Sequence, residues 1–319
     1  VSTSTPLHIV TGKGGTGKTT VAAALAIASS SGGRRALLCE VEGRQGIAQL
    51  FDVAPLEYAE RKIPGAGVDD GEVYALAVDA EAALLEYLAM YYRLGRAGKA
   101  LDRFGVIDFA TTVAPGVRDV LLTGKVYEAA RRRDDAADFV YDAIVVDAPP
   151  TGRIARFLGV NDDVAGLAKV GPIKRQATSI MSMLRSDQTR VHLVTVLEEM
   201  PVQETLDGIA ELRAAQLPVG RVIANMVRPQ RMSERTQSAL SSGSVDADAV
   251  AASLEAVGLP PRAADELIAG GLAHLRRHEL QERQRALLEV GSTELLELPL
   301  LPDGVDLGAL FELAERLAS

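Results

Sequence analysis

Gly12-Lys13-Gly14-Gly15-Thr16-Gly17-Lys18-Thr19-Thr20 decides the fold through its flanks: a β-prone apolar run over residues 7–11 and an alanine-rich helix former over residues 21–28. Strand, glycine loop and helix in that order are the setting that the phosphate-loop pattern G-x-x-x-x-G-K-[ST] requires, and Gly12 to Thr19 matches each fixed position. Glycines let successive backbone N–H groups turn inward. The helix start adds the positive end of its dipole, so the loop can cradle a polyphosphate. The pattern assigns Lys18 to the β- and γ-phosphates and the Thr19 hydroxyl to Mg²⁺. Gly12, Gly14, Gly15, Thr16, Gly17 and Thr20 complete the cradle.

With 319 residues the chain holds one large α/β domain or two small ones, and a chain of that length buries ~75% of its unfolded surface. Apolar residues are 47% and charged residues 24%, and no apolar run approaches the ~18 residues of a membrane span, so a soluble globule is expected. The net charge of −9 opposes generic binding to polyanions, which argues against a nucleic-acid partner. Arg131-Arg132-Arg133 and Arg276-Arg277 sit among acids and read as solvated helix faces. One cysteine, Cys39, excludes an internal disulfide and a Cys-x-x-Cys zinc site, and suits a reducing cytoplasm. Residues 1–6 carry neither a basic nor an apolar leader segment, so no intact secretory signal is expected.

Beyond the loop, residues 20–31 continue as a helix stopped by Gly32-Gly33, and residues 35–41 form a second strand. That strand runs into Glu42, an acid at the carboxyl end of a parallel strand, where open α/β sheets bind ligands; a plain surface acid is the alternative. Further strands are expected over 71–78, 141–147, 191–197, 220–226 and 295–301. Helices are expected over 81–94, 117–133, 165–184, 202–215, 260–290 and 307–317, with a short helix after Gly95 and a turn at Ala114-Pro115-Gly116. Asp147 closes its strand beside the expected Mg²⁺, acting through water, and the turn Ala148-Pro149-Pro150-Thr151-Gly152 offers the Gly152 amide to a γ-phosphate. The methionines of 173–184 suit either core or an adaptable client surface. Residues 233–256, small and acidic, are the stretch most expected to be mobile, and His274 with His278 reads as a solvated helix face. The alternation predicts an α/β fold with a doubly wound, mostly parallel sheet. It forms a single domain over 1–319, with helical insertions at about 79–133 and 161–188 and a variable helical segment at about 230–290.

Lys13 completes K-G-G-x-G-K-[ST], which resembles the deviant Walker A loop of dimerising ATPases. D-A-P-P-T-G-R-I-A-R-F-L over 147–158, Pro115-Gly116, the stretch 74–87, and Leu298-Pro299-Leu300-Leu301-Pro302 extend the resemblance to the ArsA family. That family comprises arsenite-pump and tail-anchored-protein-targeting ATPases. The chain is most similar to its single-loop actinobacterial members, often encoded as adjacent unequal pairs. The resemblance implies that Lys13 reaches across a dimer interface to the partner's nucleotide, whereas the loop alone leaves a solvated lysine open. It also implies that Asn225 reads adenine, that Pro299 and Pro302 flank it, and that ATP and Mg²⁺ are the cofactors. Two features depart from the family. Glu42 replaces the aspartate that orients the attacking water, and the thiolates for arsenite and the Cys pair for a shared zinc are absent, so no zinc is expected.

The expectation is a slow ATPase switch with Lys13, Lys18, Glu42 and Asp147 in the chemistry. It is a homodimer or a heterodimer with a paralogous ATPase, cytoplasmic, and peripheral to a membrane through a partner if its client lies there. An ATP-binding regulatory subunit of an unequal dimer, with little hydrolysis of its own, is the alternative. A small-molecule phosphotransferase is a more distant one.

Overall fold

The computed structural model describes residues 5–92, 115–167, 172–290, 293–302 and 304–318. Its centre is β1 (Leu7–Gly12), which leads through the glycine loop into α1 (Lys18–Ser30). The sheet is completed by β2 (Arg35–Glu40), β3 (Arg61–Lys62), β4 (Glu72–Ala77), β5 (Ala143–Asp147), β6 (Thr189–Thr195), β7 (Val219–Val227) and β8 (Leu295–Pro299). Their order is β3-β4-β2-β5-β1-β6-β7-β8, parallel throughout except for β3 on β4. A doubly wound, mostly parallel α/β sheet is therefore what the alternation predicted. Strands buried on both faces read as continuous apolar runs, and Ala-Ile-Val-Val-Asp of β5 is buried at every position.

Two cores lie on the two faces. One packs Val10, Leu38 and Val145 beneath α1 and the closing helix α11 (Leu307–Ala318). Small side chains permit this: Ala22, Ala23, Ala24 and Ala26 are fully buried, so α1 is enclosed between sheet and α11. Enlarging one of them costs about 1–3 kcal/mol in overpacking. The other core covers Ile9, Leu37 and Ile144 with α4 (Pro115–Arg131), α5 (Thr151–Leu167), α6 (Pro172–Leu184) and α7 (Glu199–Ala214). Met181 and Met183 of α6 are buried there, so these methionines are core and not client surface. A polar belt crosses this layer: Arg132 binds Glu60 and Glu128 at 2.7 and 2.6 Å, and Tyr141 donates to Glu60 at 2.6 Å.

Several boundaries differ from the sequence expectation. Pro115-Gly116 opens α4 and is not a turn, since proline at a first helical position lacks only an N–H that has no partner there. Thr151-Gly152 belongs to the first turn of α5, entered directly from Pro149-Pro150, and the single helix expected over 165–184 is two. Residues 233–256 fold as α8 (Glu234–Ser242) and α9 (Ala247–Ala256), each with a side-chain cap, Ser233 accepting from the Thr236 amide and Asp246 from those of Asp248 and Ala249. A 3-10 turn then leads to α10 (Ala264–Glu289). Short α2 (Gly46–Leu50), β3 and the helix α3 (Ala80–Tyr92) fill the first half. The short helix expected after Gly95 lies outside the described residues. No helix among the described residues is long and apolar enough to cross a membrane.

Candidate nucleotide site

Three adjacent strands end together at the carboxyl edge of the sheet. In register, Val10 of β1 and Glu40 of β2 both pair with Asp147 of β5, so Asp147 lies between the glycine loop and the first acidic strand end. From α1, the Thr19 hydroxyl donates to Asp147 Oδ2 at 2.6 Å. The other oxygen, Oδ1, is buried with no hydrogen-bond partner among the described residues. Burial dominates its titration. It lifts Asp147 to about 6, helped by the Glu40 and Glu42 charges and opposed by Thr19 and Lys18. Lys18 is buried too, and loss of solvent lowers its pKa against the pull of Asp147 and Glu42. A hydroxyl beside a buried carboxylate with an unused oxygen is the donor set a hydrated Mg²⁺ takes, so the residues fit that ion.

Above them, α1 begins at Gly17 with no side-chain cap and no acid in its first turn, leaving its positive end available to an anion. Gly17 itself is required twice over. Its φ is 85°, and a Cβ there would stand 2.4 Å from Asn225 Nδ2. Asn225 is buried and donates to the Thr16 carbonyl at 2.9 Å, bracing the loop from β7. It is aimed there by a break in the β7–β8 register between Ala224 and Val227, where Met226 takes a φ of 57°. Thr16 also closes the loop on itself, its hydroxyl donating to the Lys13 carbonyl at 2.9 Å.

Each expected residue has a definite place. Gly12, Gly14, Gly15, Thr16 and Gly17 form the loop, and Lys18, Thr19 and Thr20 the first turn of α1. Gly152 is exposed in the first turn of α5, with open space where a side chain would project. Pro299 ends β8 opposite Val227, and Pro302 follows in the turn beyond. Glu42 lies two residues past the end of β2, between Arg44 at 3.4 Å and Arg153 of α5 at 3.5 Å. Lys13 turns toward α7, where its ammonium pairs with Glu204 of the same chain. Cys39 is fully buried in β2, which pushes its thiol up to about 12.

Two residues escaped the sequence reading. Glu40, 2% exposed, accepts from the Gly46 and Ile47 amides at 3.3 Å and so caps α2, fixing the loop that carries Glu42. Its signal was the acid closing Ala-Leu-Leu-Cys-Glu, overlooked because the strand was extended one residue too far. Glu204 gave no signal, being one acid on an ordinary helix face.

A loop of backbone amides at a helix start, a buried lysine and a Thr–Asp pair at the carboxyl ends of parallel strands have the form of a phosphate-loop nucleotide site. The chain belongs to the anion-transporting ATPase family, whose profile matches residues 6–186. It is 54% identical over 316 residues to ATPase BagA of Mycobacterium tuberculosis, spanning 98% of this chain and 92% of that one. It is 24% identical over 242 residues to the arsenical pump-driving ATPase of Escherichia coli, spanning 70% and 40%. It is 22% identical over 274 residues to ATPase GET3B of Arabidopsis thaliana, spanning 71% and 65%.

Proposed function

We propose that this chain hydrolyses ATP slowly as one half of a dimer, either with a second copy or with a paralogous ATPase. The cycle would change the surface presented to a protein client or a membrane partner. The observation that carries this reading is the Thr19–Asp147 contact at the uncapped start of α1. In this reading the loop amides and Lys18 bind the phosphates, Asn225 reads adenine, and Pro299 and Pro302 flank the base. Thr19 and Asp147 hold a hydrated Mg²⁺, which when bound neutralises charge on the β- and γ-oxygens. Glu42 orients water at the γ-phosphate once it leaves Arg44 and Arg153. Lys13 leaves Glu204 to serve the partner's nucleotide, a role analogous to an arginine finger and worth on the order of 10³-fold when fully engaged.

The engagement of Glu42 by two arginines favours a second reading, an ATP-binding regulatory subunit with little turnover. One experiment separates them: ATP binding by calorimetry and single-turnover hydrolysis, with the natural partner, for the parent, Lys18→Ala and Glu42→Gln. Lys18→Ala should lose tight binding through the missing charge-assisted contact, and Glu42→Gln should bind normally but slow hydrolysis roughly 10²-fold. Normal binding by Lys18→Ala removes the nucleotide-site assignment. Parent-rate hydrolysis by Glu42→Gln makes Glu42 a bystander and leaves the regulatory reading.

A further inference from the structure

At the opposite, N-terminal edge of the sheet, over β1, β6 and β7, lies a cavity of about 670 Å³, lined by His8, Arg190, His192, Arg213, Arg221 and Glu294. His8 of β1 and Arg190 of β6 are direct register partners, and the β6–β7 register shifts between Val191 and Leu193, the position of His192. Bulges of this kind re-aim side chains. The His192 ring is seated on Gly220, where a Cβ would come within 2.9 Å of its Nδ1.

The hydrogen bonds fix both tautomers. The Arg221 backbone N–H donates to His192 Nδ1 at 3.2 Å, so that nitrogen carries no proton. His192 therefore carries its proton on Nε2, which lies 3.0 Å from His8 Nδ1 and donates to it. His8 in turn must carry its own proton on Nε2, a donor with no acceptor among the described residues, on a ring that lines the cavity. Burial holds both rings neutral, His8 down to about 4 and His192 to about 3, with the nearby guanidiniums acting in the same direction.

Around this fixed donor the charge is unbalanced. Arg221 pairs with Glu294 at 2.8 Å and donates to the Leu317 carbonyl, while Arg213 donates to the Thr293 hydroxyl at 3.1 Å. Arg190 is held by the backbone carbonyls of Asp187 and Thr189 and has no carboxylate partner among the described residues. Leu25, Ile223 and Leu317 supply apolar wall. A preset N–H donor, a guanidinium without a counter-charge and an aliphatic side together match a phosphate or carboxylate borne on a short hydrocarbon body. We propose that this cavity is a second ligand site, separate from the nucleotide site, for a small organic anion whose terminal phosphate or carboxylate binds Arg190 and His8 Nε2–H.

The test is histidine ¹⁵N NMR on the full chain, with the phosphate loop saturated by ADP so that it cannot take the probes. Butyl phosphate and hexanoate are titrated separately, which distinguishes a phosphate ligand from a carboxylate one. With either probe the His8 Nε2–H signal should shift saturably, with a Kd in the millimolar range or tighter. Arg190→Gln, a change at an exposed position, should weaken that affinity roughly tenfold and leave ADP binding unchanged. His8→Asn should weaken it without altering the fold. No saturable shift with either probe up to about 10 mM, unchanged affinity in Arg190→Gln, or a His8 ring protonated on Nδ1 overturns the proposal. The readout is independent of ATP hydrolysis, so failure here leaves the proposed function standing, and the reverse.

Discussion

The pairing of Lys13 with Glu204 would set the resting state of the side chain to which the proposed dimer gives a role in hydrolysis. Both are about one-third exposed, so their pair contributes under ~1 kcal/mol to stability, yet it occupies the lysine that the dimer reading sends across the interface. Glu204→Gln should therefore leave the melting temperature nearly unchanged. It should raise hydrolysis at limiting protein concentration roughly twofold to fivefold, the ratio that matches an exposed ion pair. The gain should vanish in the Lys13→Ala background; a gain that survives there assigns it to something other than Lys13. Asp147 gives a pH signature. Its native pKa of about 6 lies above the 3.8 of a free side chain, so the folded chain binds the extra proton and stability falls as pH rises through that window. Asp147→Asn should stabilise the nucleotide-free protein at pH 7 by on the order of 2 kcal/mol, with the difference fading below about pH 4, while abolishing hydrolysis. Melting curves at the two pH values check this, and equal shifts at both would deny the burial argument.

Among the elements, the join of β1, loop and α1 was fully legible, because its residue types follow from backbone geometry. The brace from β7 was not, since Asn225 reaches the loop only through a kink at Met226. Gly17→Ala tests the join. It would place a methyl against Asn225 Nδ2 and demand a left-handed φ of a residue that resists it, so it should lower stability by about 1–3 kcal/mol and weaken ATP binding. An unchanged melting temperature would mean that the loop relaxes freely. Helices α8 and α9 lie inside the helical segment expected over about 230–290 but were not delimited in it, because serines, glycine and acids dilute their periodicity. Their stability rests on the Ser233 and Asp246 caps, and α8 also rests on α10 through Leu240, whose side chain lies against Gly271.

At the scale of the molecule, Lys13 and the client surface only acquire their proposed roles in an assembly. Turnover per chain should fall on dilution through the dimer dissociation range, and a zinc chelator should leave the dimer intact. Flat turnover across that range removes the trans role of Lys13; dissociation on chelation removes the zinc-free dimer. The carboxyl and N-terminal ends of β1 then present two chemistries on one strand, the phosphate loop at one and His8 at the other.

Local spacing and periodicity were enough for the α/β class, for seven of the eight described strands to within a residue or two, the two-residue β3 being the exception, and for the proposal of the loop, Lys18, Thr19 and Asp147 as one site. What the side chains touch came from the packing of the folded chain: Glu40 rather than Glu42 buried at the strand end, Lys13 on Glu204, Met181 and Met183 in the core, and two histidines joined across 184 positions. Those outcomes depend on which strands become neighbours, and strand order is set by packing between elements far apart in the chain, which no local pattern records.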